Sequence, residues 1–260
     1  MKIAAWNINS IRARLQRLVS WLGTFQPDVL CLQELKCTDD DFPALELKAA
    51  GYHSACFGQK TYNGVAIVSK QPLSEVVRGI PDGVEDAHSR FIAATVGTGS
   101  HAVRCISVYA PNGQAVDSPA YVYKLRWYER LTRYLEDNQV KSGNWVIGGD
   151  YNIAPEPIDL HDPAAWEGQT LFTLPERTAF RQLTEAGLVD TFRALHPDEA
   201  GKYSWWDYRM LGFPKNRGLR IDFILASPSM SARCTVAGID REARKGKLPS
   251  DHAPVWAEFS

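Results

Sequence analysis

The sequence predicts one layered α/β domain of the α+β kind, and three observations predict it. Short apolar runs rich in β-branched residues recur from end to end, and amphipathic helical periods fall between them. No repeat, low-complexity tract or Pro/Ser-rich linker interrupts the mixture. At 260 residues, 45% hydrophobic and 23% charged, the chain is long enough to bury the core of a single domain covering 1–260.

In chain order, strands are expected at 2–7, 29–33, 65–69, 91–96, 103–108, 145–149, 221–226 and 255–259. A helix should start after Ser10, a good N-cap, with Ile11, Leu15, Leu18, Val19 and Leu22 at helical spacing and Gly23 near its end. A second should cover 121–135, with Tyr121, Leu125, Tyr128, Leu131 and Leu135 on one face. A third should cover 176–186, closed by Gly187. The stretch 152–175 is rich in Pro, Asp and Trp and has little periodicity, so it reads as a long functional loop.

Composition narrows the function classes. No apolar run reaches the roughly 18 residues of a membrane span, and the first residues read as a strand rather than a signal peptide. The five cysteines form no C-x-x-C pair, and Cys31 and Cys105 sit in apolar runs. Buried reduced thiols in a cytoplasmic protein are therefore expected. A net charge of −1 gives no whole-chain signal for nucleic acid, but ten Lys and Arg in 202–247 stand against four Asp and Glu. A phosphate backbone requires such a basic face; a Lys-rich solvated loop gives the same count.

The chemistry is expected at strand ends. Asn7 ends the first predicted strand, Glu34 follows the second, and 145–149 runs into Asp150, Tyr151 and Asn152. Asp222 opens 221–226, and Asp251 and His252 stand just before 255–259. One Asp or Asn after a strand is ordinarily a turn residue or a cap. Several strands ending at one rim would instead gather a set of oxygen ligands suited to Mg²⁺ or Mn²⁺, which are hard cations. With no cysteine and one histidine, the set does not suit zinc.

These residues lie within longer strings that span the chain. They are Trp6-Asn7-Ile8-Asn9, Leu32-Gln33-Glu34-Leu35-Lys36, Asn63-Gly64-Val65-Ala66, Tyr109-Ala110-Pro111-Asn112-Gly113 and Gly148-Gly149-Asp150-Tyr151-Asn152-Ile153. Further on come Gly187-Leu188-Val189-Asp190-Thr191-Phe192-Arg193, Ser204-Trp205-Trp206, Asn216-Arg217-Gly218-Leu219-Arg220-Ile221-Asp222 and Ser250-Asp251-His252-Ala253-Pro254-Val255. In this order and spacing the chain resembles the exonuclease III group, which holds AP endonucleases and exonucleases, of the endonuclease/exonuclease/phosphatase superfamily. The resemblance implies a four-layer αββα sandwich of two mainly antiparallel sheets, DNase I-like, with the active site at one edge of the sheets.

The resemblance also implies roles. Glu34 is a metal ligand with Asn7 and Asp251 beside it, and Asp150, Asn152 and His252 stand as further ligand candidates. Asp150 aligns or deprotonates the attacking water, Asn152 donates to the scissile phosphate, and Tyr109 lies near that phosphate. His252 bonds a non-bridging oxygen or moves a proton, and Asp222 orients it. Trp205, Leu219 and Ile221 match a small pocket that accepts a flipped-out sugar lacking its base; as residues, they read equally as core. Arg217, Arg220 and Asn112 are expected to contact substrate. Trp206, Tyr208 and Phe213 either stack on bases or pack their loop.

The implied activity is DNA repair with Mg²⁺ or Mn²⁺: cutting 5′ to abasic sites, 3′→5′ exonuclease action, and 3′-phosphatase or 3′-phosphodiesterase action as a further activity. Double-stranded DNA with abasic sites or 3′ ends would be the partner of a monomer that binds no membrane. The balance of activities should depend on 159–175 and 113–119. Lipid or inositol phosphate phosphodiesterases share the fold and are one alternative. Non-catalytic nucleic-acid-binding regulators of the same fold are the other; they lack several site residues, all of which are present here.

Overall fold

The computed structural model describes all 260 residues. Twelve strands form two six-stranded sheets. The first contains β1 (Lys2–Asn7), β2 (Val29–Gln33), β3 (His53–Phe57), β4 (Val65–Ser69), β11 (Cys234–Ile239) and β12 (Val255–Phe259), in the order β11-β12-β1-β2-β4-β3. The second contains β5 (Leu73–Arg78), β6 (Phe91–Val96), β7 (Val103–Tyr109), β8 (Trp145–Asp150), β9 (Val189–Asp190) and β10 (Asp222–Ala226), in the order β5-β6-β7-β8-β10-β9. Each sheet has one parallel pair, β1 with β2 and β7 with β8, and is otherwise antiparallel.

Alternation along the strands builds four layers. Ile3 and Ala5 of β1 face Val146 of β8 and Ile224 and Ala226 of β10 across the interface between sheets. Ala4 and Trp6 point the other way, onto Leu18, Trp21 and Leu22 of α1 (Ile11–Phe25) and Leu47 of α2 (Ala44–Ala49). On the far side, Phe91, Ile147 and Phe223 pack against α3 (Pro119–Asp137) through Trp127 and Leu131, and against α5 (Leu174–Glu185) through Phe180 and Leu183. Gly148 lies at a close approach between the sheets: a Cβ there would stand 3.0 Å from that of Ala5.

The expected strands are all present, with shifts of one residue at Tyr109, Asp150 and Asp222. Four strands escaped the sequence pattern: β3, β5, β9 and β11. They flank the sheets, and their half-exposed faces leave no continuous apolar run. The stretch 152–175 is not one loop. It holds a 3₁₀ turn at Pro157–Asp159 and α4 (Pro163–Trp166), and α5 begins within it at Leu174. Short helices α6 (Thr191–Leu195) and α7 (Pro228–Ser231) complete the chain, and no helix is long and apolar enough to cross a membrane.

Candidate active site

Strand direction decides where the polar residues meet. The C-terminal ends of β1, β2, β7 and β8 lie on one rim because the two inner pairs are parallel. The antiparallel neighbours β10 and β12 bring their N-terminal ends to the same rim. Asn7, Glu34, Tyr109, Asp150, Asp222, Asp251 and His252 therefore converge, although they span most of the sequence. Asp150 is the register partner of both Tyr109 and Asp222.

At the centre, ligand atoms of Glu34, Asp150 and His252 all lie within 4.8 Å of one another. The Asn7 amide bridges the two carboxylates, donating to Glu34 Oε1 at 2.8 Å and to Asp150 Oδ2 at 2.9 Å. His252 pairs through Nδ1 with Asp222 Oδ2 at 2.9 Å and turns Nε2 toward Asp150 Oδ2 at 3.7 Å. Asn152 donates its backbone N–H to Asp150 Oδ1 at 2.9 Å and its side-chain amide to Ala110 O at 2.9 Å. Asn112 Nδ2 reaches Asn152 Oδ1 at 3.3 Å. Glu34 and Asn152 hold left-handed backbone, φ 51° and 48°, which costs a non-glycine residue energy and survives only where surrounding bonds impose it.

The electrostatics follow from burial and charge. Burial works against a charged His252, but the Asp222 and Asp150 carboxylates outweigh it and raise the imidazolium to about 10. Burial also pushes Asp150 up to about 7; the His252 cation draws it down, Asp222 repels it, and N–H donors from Asn7 and Asn152 favour its ionised form. Tyr109 is held protonated by burial and by the nearby charges of Glu34 and Asp150. The Glu34 and Asp150 carboxylates facing one point, with the Asn7 amide between them, form an oxygen donor set that fits a divalent cation, while the His252 cation beside them suits a phosphate oxygen rather than the metal.

Not every expected ligand points there. Both Asp251 oxygens are engaged outside the cluster, by Asn9 Nδ2 at 2.8 Å and Trp205 Nε1 at 3.0 Å. The His252 cation and these donors lower its carboxyl despite burial. Trp205, Leu219 and Ile221 share one apolar cluster with Leu160, Leu171 and Phe172, and backbone bridges tie Trp205 to both Leu219 and His252. Leu219 and Ile221 are each 1% exposed and are packed as core residues, and only half-buried Trp205, bridged to His252, reaches the surface beside the rim. On the other side opens a cleft of about 600 Å³ lined by Glu34, Asn63, Arg90, Tyr109, Asn112 and Tyr123, among others.

Arg220 corrects the sequence reading. It is 2% exposed and lies 2.7 Å from both Asp159 and Asp190, so it braces the interior and does not reach a substrate backbone. Arg244 is likewise buried, so part of the basic count in 202–247 is internal, while Arg217 stays exposed. Trp206 is fully buried and packs its loop against Phe213; Tyr208 is exposed.

Asn9, Lys36 and Lys124 join the site without a role expected from sequence. Lys36 Nζ lies 2.8 Å from Glu34 Oε2 and donates to Asn9 Oδ1 at 2.6 Å. Asn9 and Lys36 stood inside the recognised strings. Lys124 had its own signal, a lysine one turn from Tyr121 and Tyr128. It takes the buried slot on the α3 face where Leu125 was expected, and Leu125 is only half-buried.

A rim of this kind hydrolyses phosphoesters with the help of a cation, and the fold and site together are those of a metal-assisted phosphoester hydrolase. The chain belongs to the Endonuclease/Exonuclease/phosphatase family, whose model matches residues 4–252. It is 40% identical to exodeoxyribonuclease III of Haemophilus influenzae over the full length of both chains. Among solved structures it is similar to the Neisseria 3′ phosphatase NExo bound to a product DNA hairpin, at TM-score 0.95 and 45% identity, covering 100% of this chain and 99% of that one. It is also similar to an AP endonuclease from Archaeoglobus fulgidus, at TM-score 0.95 and 38% identity, again covering 100% and 99%.

Proposed function

We propose that this protein is a DNA repair nuclease that hydrolyses phosphodiesters at 3′ ends, as a 3′→5′ exonuclease and 3′-phosphatase, and on the 5′ side of abasic sites. The observation that carries this reading is the Glu34, Asp150 and His252 cluster, with Asp222 behind the histidine. Likeness to the Neisseria 3′ phosphatase supports the 3′-end activities, and likeness to the Archaeoglobus AP endonuclease supports incision.

Glu34 and Asp150, bridged by the Asn7 amide, would hold Mg²⁺ or Mn²⁺, which when bound supplies Lewis-acid polarisation of the phosphoryl oxygen and charge for the leaving oxygen, and Asp251, held by Asn9 and Trp205, stays outside the ligand set. Asp150 aligns the attacking water and takes its proton. Asn152 donates an amide N–H to the phosphate, and protonated Tyr109 offers its O–H at the same rim. Asp222 fixes His252 through Nδ1, so that Nε2 presents positive charge to a non-bridging oxygen. Half-buried Trp205, backed by the packed Leu219 and Ile221, offers the apolar surface that favours a sugar without its base. Exposed Arg217 and Asn112 contact the strand on either side.

All these groups come from one chain, which suits a monomer. The five free cysteines suit a reducing compartment such as the cytoplasm. A timed digest of one labelled duplex carrying an abasic analogue, with and without EDTA, tests the reading. Internal cutting and end trimming that both stop in EDTA support it; an intact duplex with Mg²⁺ and Mn²⁺ overturns it.

A further inference from the structure

We infer that Lys124 and Glu176 act as a positioning pair that sets the Asn152 loop for phosphate contact. Both side chains are 0% exposed, and Lys124 Nζ lies 2.5 Å from Glu176 Oε1. The other two ammonium hydrogens go to backbone carbonyls of site residues, Asn152 O at 2.6 Å and Asn112 O at 3.0 Å. Glu176 in turn accepts from Leu171 N at 3.1 Å and Thr173 N at 3.0 Å. One buried pair thus fastens α3, both loops that carry the phosphate-facing amides, and the segment bearing the apolar cluster.

A merely structural role fits this arrangement poorly. A buried ion pair is seldom worth more to stability than apolar residues of the same size, and a helix face packed on a core would accept those. What an apolar residue cannot do is hold two carbonyls. Asn152 is the residue in need of holding: its φ of 48° is kept by Asp150 accepting its N–H on one side and by Lys124 donating to its carbonyl on the other. Without that donor the peptide relaxes and the amide drifts from the phosphate, and a displacement of about 1 Å is enough to slow chemistry roughly 100-fold.

The inference rests on the reading of Asn152 as a phosphate donor, and the full chain acting on the labelled abasic duplex tests both. The variant is Lys124→Met with Glu176→Gln, which removes both charges and leaves neither unpaired. The expected result is a folded protein with kcat lowered about 10- to 100-fold. KM, and duplex affinity in EDTA, should stay within about two-fold of wild type. In an Asn152→Ala background the same pair of changes should cost no more than about two-fold, because the group being positioned is gone. A folded double variant with wild-type kcat, or an equal loss in the Asn152→Ala background, overturns the inference while leaving the nuclease reading intact. An intact duplex with wild-type protein overturns both. Should the double variant fail to fold by circular dichroism, Glu176→Gln alone decides by the same readout, and wild-type kcat in it counts against the pair.

Discussion

Asp150 occupies the most contested position in the molecule. It is buried, faces the His252 cation, is repelled by Asp222, and is held by N–H donors from Asn7 and Asn152. Asp150→Asn keeps the shape and removes the charge, so turnover should fall by more than about 100-fold, the usual range for a lost general base. Duplex affinity should change little, since exposed contacts supply it. Steady-state kinetics beside a binding titration checks this, and near-normal kcat would remove Asp150 from the mechanism. The site was largely legible from residues because acids and amides at strand ends have no packing reason to be there. Arg220 was misread because nothing local distinguishes an exposed arginine from one neutralised by Asp159 and Asp190, which lie 61 and 30 residues away in sequence. Asn9 went unassigned for the related reason that its partners, Lys36 and Asp251, lie 27 and 242 residues away in sequence.

Among the elements, α5 shows what a local rule can and cannot deliver. Its start is a capping box: Thr173 Oγ1 accepts from Glu176 N, and Glu176 accepts from Thr173 N. The T-x-x-E signature was available in the sequence, yet the helix was expected to begin at 176. Thr173 also meets the Tyr121 hydroxyl at 2.5 Å, so its loss affects two helices. Thr173→Ala should lower stability by about 1–2 kcal/mol, seen as a lower urea midpoint with an unchanged slope. A midpoint equal to that of wild type would show that the cap contributes nothing. Strands buried along their length, such as β1, β2 and β4, were legible because their interior positions are apolar or small, with polar residues only at the ends. Bulged β5 and two-residue β9 were not, because pairing rather than pattern defines them.

For the whole molecule, the same sandwich that sets the rim also buries titratable groups in its central layer. Burial raises the Cys31 thiol from 9.0 to about 12, and Cys105 beside it is pushed up as well. A folded-state value above the unfolded one gives stability that is complete below about pH 9 and lost as pH rises toward 12. The urea midpoint should therefore fall steeply above pH 9, and Cys31→Ala should lessen that slope; a midpoint level to pH 11 contradicts the prediction. The four layers themselves could not be read from periodicity, which shows that a strand has a buried face and not what covers it. Their order came from the resemblance of strings spread along the chain.

The rim is the product of all three scales, and one titration tests it most directly. Mn²⁺ added to EDTA-stripped protein and followed by electron paramagnetic resonance should bind wild type saturably. Glu34→Gln, which keeps an amide oxygen but loses the charge, should weaken that binding by about ten-fold or more. Equal Mn²⁺ affinity in wild type and Glu34→Gln, with both proteins folded, would mean that the cation does not sit between these strand ends.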